Sequence, residues 1–252
     1  MPLVLVLLAG CDRLQQAGET VEGSTSPLVA QGIFLGLDAP EGVDLSDAEE
    51  LGYTALCSVF LAEVTDAGDI TDAPIEGGEI ALRSPANGAL EFEDEGEGKY
   101  TLDSSRGLVY EVGETAVISL AVDDDEGKLV VETPEAPDVD VPEEVKMQTG
   151  MVVDLSDYAY ENALAAVYDL TRGRMTWDSL PDGVDQTYEF THPEEPADQI
   201  VIPAEAFLRK GNHVVGVAGM EIADVGAFEG VNTQLSALMA GRVALHLVVV
   251  TD

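Results

Sequence analysis

The chain has 252 residues, of which 49 are Asp or Glu and only 11 are Lys or Arg, so its formal net charge is −38. This balance excludes nucleic acid as a partner, because nucleic-acid binding depends on Lys and Arg side chains that neutralise phosphates. A hydrophobic content of 46% excludes wholesale disorder. At roughly 100–150 residues per domain, the length predicts two domains.

The N-terminus carries an apolar run, residues 3–8, followed by Ala9, Gly10 and Cys11. The sequence Leu-Ala-Gly-Cys resembles the lipobox of bacterial lipoproteins. That resemblance implies that residues 1–10 are a signal peptide and that Cys11 is lipidated, anchoring the protein in the cell envelope on the periplasmic face or the cell surface. No basic residue precedes the run, which suggests a start codon further upstream. The alternative is a short buried strand. The lipobox is favoured because the run is too short to span a bilayer and the segment after Cys11 is polar.

Residues 11–27 have the composition of a flexible tether. They hold few large apolar side chains and end in a cluster of Gly, Ser, Thr and Pro. Such a tether lets a folded region stand clear of the membrane to which Cys11 is attached.

Residues 28–142 are predicted to form an acidic β-sandwich, because short alternating runs are separated by turn residues. The order of Gly-Glu-Ile-Ala-Leu, Leu-Glu-Phe, Gly-Lys-Tyr-Thr-Leu and Val-Gly-Glu-Thr-Ala is similar to prealbumin-like or immunoglobulin-like sandwiches of bacterial surface proteins. The likeness implies support or binding. The predicted strands are Ile33–Leu37, Tyr53–Val64, Glu79–Arg83, Ala89–Glu93, Lys99–Leu102, Thr115–Val122 and Lys128–Glu132, the last two joined by a turn at Asp123–Gly127.

Cys57 is the one cysteine left once Cys11 is assigned to lipidation, so no intramolecular disulfide is expected. Strand alternation groups it with Ala55, Val59 and Leu61, which predicts a buried thiol that packs as a small hydrophobe. A catalytic thiolate is the alternative, and it requires an imidazole or a cation nearby. The nearest histidine in sequence is His192.

A change in charge supports a boundary near residue 142. Residues 133–144 contain Pro134, Pro137 and Pro142 among acidic residues, which is typical of an interdomain linker. Residues 12–147 hold 33 acids and 6 bases, a net charge of −27, whereas residues 148–252 hold 16 acids and 5 bases, a net charge of −11.

Residues 143–252 resemble a fibronectin type III sandwich, most clearly at Arg174–Gly183, where a tryptophan precedes a Pro-Asp-Gly turn, and at Thr187–Phe190. Trp177 alternates with Met175 and is expected to fill the core, with ligand stacking as the alternative. Ala163–Leu170 is interpreted as a strand, and a short helix over the Ala-rich Tyr158–Leu170 is the alternative. Further strands are predicted at Val152–Leu155, Ile200–Ile202, His213–Met220 and Arg242–Val250.

The sequence contains no common catalytic motif: there is no Gly-x-Ser-x-Gly, no His-Glu-x-x-His, no phosphate loop and no dinucleotide fingerprint. The three histidines, His192, His213 and His246, lie on different predicted elements. Carboxylates are too numerous for a pair to indicate glycosidase chemistry. Asp123, Asp124 and Asp125 are candidates for calcium binding but lack the spaced ligands of a calcium loop, so solvated turns are the default.

The expected fold is therefore all-β, with two tandem sandwiches behind a lipidated tether. We expect no enzyme activity and no cofactor, and we interpret the protein as a binding, adhesion or scaffold component of the envelope. Another envelope protein or a glycan is the expected partner. The alternatives are a carbohydrate- or calcium-binding module and, behind it, a hydrolase. The acidity fits either a saline habitat or a cationic partner.

Overall fold

A computed structural model describes residues 26–38, 53–64, 70–158, 160, 162–180, 190, 197–233 and 235–252. The all-β prediction is confirmed, since the described regular structure consists of strands and three short 3-10 turns. The turns are Ser104–Arg106, Ala204–Phe207 and Val225–Ala227. The strands are β1 (Leu28–Asp38), β2 (Ala55–Val64), β3 (Ile70–Pro74), β4 (Glu79–Ser84), β5 (Gly88–Glu91), β6 (Glu93–Gly96), β7 (Lys99–Asp103), β8 (Thr115–Val122), β9 (Asp125–Glu132), β10 (Glu144–Lys146), β11 (Met151–Asp154), β12 (Asn162–Asp169), β13 (Arg174–Asp178), β14 (Gln199–Ile202), β15 (Gly211–Ile222) and β16 (Ala237–Thr251).

The described strands form three sheets. The large sheet has ten strands, with β13-β12-β15-β16-β1-β2-β7-β6 as its main path, β10 added to β16 and β3 added to β2. A four-stranded sheet has the order β5-β4-β8-β9, and a two-stranded sheet pairs β11 with β14. Both smaller sheets are antiparallel.

The first sandwich packs β1, β2 and β7 of the large sheet against the four-stranded sheet. Alternation in the sequence decides which side chains point inward. In β8, Ala116, Ile118 and Leu120 are buried, whereas the residues between them are partly exposed. They meet Phe34 and Tyr100 from the large sheet in one core cluster.

The second sandwich packs β12, β15 and β16 against the two-stranded sheet. Its core combines Val167 and Val217 of the large sheet with Val153 and Ile202 of the smaller one. Phe207, from the 3-10 turn Ala204–Phe207, is fully buried in the same cluster. This core therefore depends on an irregular segment as well as on strands.

One long strand belongs to both sandwiches. At its start, Leu238 and Ala240 of β16 lie in the first core, and near its end Val248 and Val250 lie in the second. Over residues 237–244, β16 pairs in parallel with β1, so the large sheet runs without a break across the charge boundary near residue 142. The division into residues 28–142 and 143–252 stays a prediction, with the added fact that strands from both sides share one sheet.

Several local predictions need correction. Residues 162–169 form strand β12, so the helical alternative for Tyr158–Leu170 is wrong. The turn between β8 and β9 is shorter than predicted, because Val122 already pairs with Asp125. The predicted strand Ala89–Glu93 is split at Phe92, whose N–H donates to Ile80 O, and the chain passes there from the four-stranded sheet to the large sheet. Three short strands, β3, β6 and β10, escaped the sequence analysis.

Candidate functional site

The two cysteines were assigned different roles in the sequence. Cys11 lies outside the described residues. Cys57 is fully buried in the first core and shares its cluster with Ala55, Val59 and Leu61, as the alternation predicts. Burial raises the pKa of the Cys57 thiol well above its ordinary value, so the thiolate that a nucleophile needs is disfavoured.

Trp177 lies on β13, the edge strand of the large sheet, and is partly buried against the second core. The predicted alternation with Met175 is wrong because β13 contains a β-bulge. Trp177 pairs with Val167 and Met175 pairs with Tyr168, which leaves Thr176 as the extra residue. Met175 accordingly packs with Tyr168 in a separate cluster. The hydroxyl of Thr176 donates to Ala206 O at 2.9 Å and so ties the bulge to the 3-10 turn Ala204–Phe207.

The calcium candidates Asp123, Asp124 and Asp125 are exposed at the turn between β8 and β9, where Asp123 adopts a left-handed conformation with φ of 51°. Within the described ranges, no group of three or more His, Cys, Asp or Glu side chains is arranged to hold a metal ion. The turn has the geometry of a tight hairpin connection.

Of the three histidines, His192 lies outside the described residues. His213 is fully buried beside the buried carboxylate of Asp169, with its Nε2 3.8 Å from Asp169 Oδ2 and without a hydrogen-bond partner. Asp169 is paired with the guanidinium of Arg172. The ring of Phe207 lies edge-on to the imidazole at 6.1 Å between centroids. This closed arrangement joins β12, β15 and a core aromatic residue.

A row of residues across the large sheet marks the place where the two sandwiches meet. Arg242 of β16 pairs with Gly36 of β1 on one side and with Gly219 of β15 on the other. We call these three residues the waist. Two tyrosine rings occupy the space that glycine leaves: a Cβ built on Gly36 would lie 2.6 Å from Tyr110, and one built on Gly219 would lie 2.2 Å from Tyr160. Both glycines are required by the close approach of an aromatic ring.

The extended segment 134–141, which we call the strap, follows β9 and crosses from the first sandwich to the second. Three tyrosine hydroxyls hold its backbone. Tyr110 donates to Pro134 O at 3.0 Å, Tyr160 donates to Glu135 O at 2.9 Å, and Tyr158 donates to Asp138 O. The rings of Tyr158 and Tyr160 stack at 5.6 Å. The predicted linker is therefore anchored along its length.

The strap also contributes to the second core and lies close to His246. Val139 is buried in the second cluster, where Val248 and Val250 of β16 also lie. His246 is on the same face of β16, two residues before Val248. Its Nε2 is buried and lacks a hydrogen-bond partner. Burial lowers the pKa of His246, and the negative charge of Asp138 on the strap opposes this effect.

The opposite face of the large sheet carries a shallow groove lined almost entirely by aliphatic side chains from β1, β12, β15 and β16. Its floor includes Gly216 and Ala218. The groove has few polar atoms to orient a small ligand, which distinguishes it from an enzyme site with convergent polar groups.

No sequence motif predicted the tyrosines that contact the waist and the strap. Tyr110 is far in sequence from Tyr158 and Tyr160, all three lie outside the strands, and tyrosines without a surrounding pattern carry no motif. Gly36 and Gly219 were the available signals, since a glycine inside an apolar strand indicates close approach of another group.

Comparisons with known proteins identify neither a family nor a function for the chain. No family model matches the chain, and no curated protein matches it. A solved structure of the FN1–FN3 domains of chicken CNTN1 is similar at 8% sequence identity over 91% of this chain and 68% of that one, with a TM-score of 0.24. A TM-score this low assigns neither a fold family nor a function. No helix in the described ranges is long and apolar enough to cross a membrane.

Proposed function

We propose that the protein is a lipid-anchored, non-enzymatic scaffold of the cell envelope, in which the first sandwich and the shared large sheet hold the second sandwich away from the membrane for binding. The observation that carries the proposal is the path of β16. This strand has fifteen residues, Ala237–Thr251. At about 3.3 Å per residue it extends roughly 45 Å.

The tether joins the fold where β16 begins. Ser26 Oγ donates to Gly230 O at 2.8 Å, and the N–H of Asn232 donates to Leu28 O at 2.7 Å. The parallel pairing places Gln31 beside Ala237. An anchor at Cys11 would therefore act on this end of the molecule, and the far end of β16, with the second core around it, would point away from the bilayer.

Continuous pairing supports a scaffold rather than two domains on a flexible linker. β15 pairs with β16 along its whole length, from the pair Gly211 and Val250 to the pair Ile222 and Met239. The waist and the strap add contacts between the sandwiches. Bending between the two cores would break ladder hydrogen bonds, each of which contributes about 0.5–1.5 kcal/mol.

The cysteine and the two histidines in the described ranges are poorly placed for catalysis. The Cys57 thiol is buried, and the Nε2 atoms of His213 and His246 are both enclosed. A nucleophile or general base must reach its substrate, so these groups would first have to be uncovered.

The experiment is metabolic labelling with a fatty-acid analogue, followed by membrane fractionation. Cys11→Ala should abolish both the label and the membrane association. Cys57→Ala is the matched control and should keep both, because the Cys57 side chain is buried. An epitope tag added after Asp252 should be accessible to antibody on the side of the membrane that carries the protein. Label and membrane association that persist in Cys11→Ala would overturn the anchor, and a tag shielded by the bilayer would overturn the orientation.

A further inference from the structure

We propose that the strap, residues 134–141, is an acid-sensitive latch between the two sandwiches, and that protonation of the nearby His246 releases it. The strap is suited to this role because it has no ladder hydrogen bonds of its own within residues 134–141. Tyrosine hydroxyls and the burial of Pro137 and Val139 hold it instead.

The geometry around His246 favours the neutral ring. The Nε2 atom is buried and has no acceptor within hydrogen-bond distance. A proton added there would leave a charged N–H without a partner, and burying such a group is costly. Opening the strap would give the Nε2 atom access to water.

The groups that face this site come from several elements. On β16 itself, Arg242 lies on the same face four residues earlier. On the strap, Asp138 favours the charged ring, and Glu135 is further along. Tyr158 and Tyr160 contribute hydroxyls that already donate to the strap. On β15 the residue paired with His246 is Val215, which is apolar.

The sign of the effect follows from linkage. Burial, the largest influence, lowers the pKa of His246 from its ordinary value of 6.5 while the strap is closed. With the strap open or the chain unfolded, the ring has the ordinary value. As the pH falls through about 6.5, the open state therefore takes up the proton first, and the closed state loses stability. The latch is expected to be closed above pH 7 and progressively weaker below it.

The test is hydroxyl-radical footprinting of the full chain at pH 7.5 and pH 5.5, a range above that in which ordinary carboxyl groups titrate, about pH 4. Oxidation of Tyr158 and Tyr160 should rise several-fold at pH 5.5 in the parent chain. His246→Gln should give the same low oxidation at both values. His213→Gln, at the fully buried imidazole of β15, is the matched control and should keep the pH response.

His246→Asn provides a second variant if the Gln side chain does not fit, and far-UV circular dichroism checks that each variant is folded. A parent chain with equal footprints at the two pH values would overturn the latch. A pH response that persists in both folded His246 variants would show that another group is responsible, and would equally overturn the proposal.

Discussion

The two sandwiches differ in the layer that covers the large sheet. In the first, a four-stranded sheet supplies a complete second layer of alternating side chains, such as Ile80 and Leu82 of β4. In the second, the covering sheet has only β11 and β14, and Phe207 and Val139 from irregular segments fill the remaining core. A small sheet can therefore complete a core when loops and an extended strap supply apolar side chains.

The sandwiches also differ in charge. The first region has a net charge of −27 over residues 12–147, against −11 over residues 148–252. Repulsion among like charges destabilises a compact state and is reduced by salt. The region that contains the more regular sandwich is thus the more strongly self-repelling one, and the less charged region contains the less regular core.

The largest expected effect tests whether the two sandwiches unfold as one unit. Phe207→Ala should destabilise the protein by about 3–5 kcal/mol, because a large buried ring is removed. Because β16 belongs to both cores, far-UV circular dichroism and Trp177 fluorescence should report one shared denaturant midpoint that shifts in the variant. Its neighbour Leu208 is 50% exposed. Leu208→Ala should change stability by no more than about 0.5 kcal/mol. Two separate transitions, with only the fluorescence midpoint displaced, would mean that the halves are independent.

The next effect concerns the waist. Gly219→Ala should cost about 1–3 kcal/mol, because the new methyl group would overlap the ring of Tyr160. In a Tyr160→Ala background the same change should be close to neutral, so a double-mutant cycle of denaturant midpoints should reveal strong coupling. Gly216→Ala is the control on the same strand, because its Cβ would meet only side-chain ends, at 3.0 Å or more. Additive free energies for Gly219→Ala and Tyr160→Ala would disprove the proposed packing.

The β-bulge in β13 should give a smaller effect. Thr176→Val keeps the side-chain shape but removes the hydrogen bond to Ala206 O, and should lower the free energy of unfolding by about 1 kcal/mol. Thr115, exposed on β8, provides the comparison, and Thr115→Val should have little effect. Equal midpoints for Thr176→Val and the parent would show that the bulge does not need this bond.

The smallest effect probes the charge difference. Asp124→Asn removes one charge from the run Asp123–Glu126 and should stabilise the protein by a few tenths of a kcal/mol at low salt. Asp157→Asn, at an exposed position of the second region, should have a smaller effect. Thermal unfolding should be measured with and without 0.5 M sodium chloride, at which the Debye length is about 4 Å. The stabilisation by Asp124→Asn should vanish in the salt, because the repulsion between the carboxylates is then screened. A stabilisation that is independent of salt would contradict a repulsive origin.

Much of the fold was predictable from local patterns. The bounds of β8 agree with the predicted Thr115–Val122, because its alternation is regular and a turn of charged residues follows it. Strands β3, β6 and β10 were not predictable in the same way. They have three to five residues each, and β6 is Glu-Asp-Glu-Gly, with no apolar periodicity. Such strands exist because a neighbouring strand offers free backbone groups for pairing.

The candidate site residues also differ in whether their placement could be predicted from the local sequence. Burial of Cys57 follows from alternation in an apolar strand, which is a local property. The opposite orientations of Met175 and Trp177 depend on a bulge that forms only against β12, and the two residues therefore do not share a face as their spacing suggests. The role of Thr176 could be recognised only after Ala206 was placed beside it.

The sequence by itself determined the acidic character of the chain, its β-strand content and the positions at which regular alternation buries a side chain. These properties depend on residue type and on a period of two, which any extended strand imposes. Only the tertiary structure decided that β1 pairs with β16, that Tyr110 and Tyr160 fill the spaces beside Gly36 and Gly219, and that the strap lies close to His246. Those contacts join residues from about 60 to more than 200 positions apart, and their free energy is gained only when the whole sheet has formed.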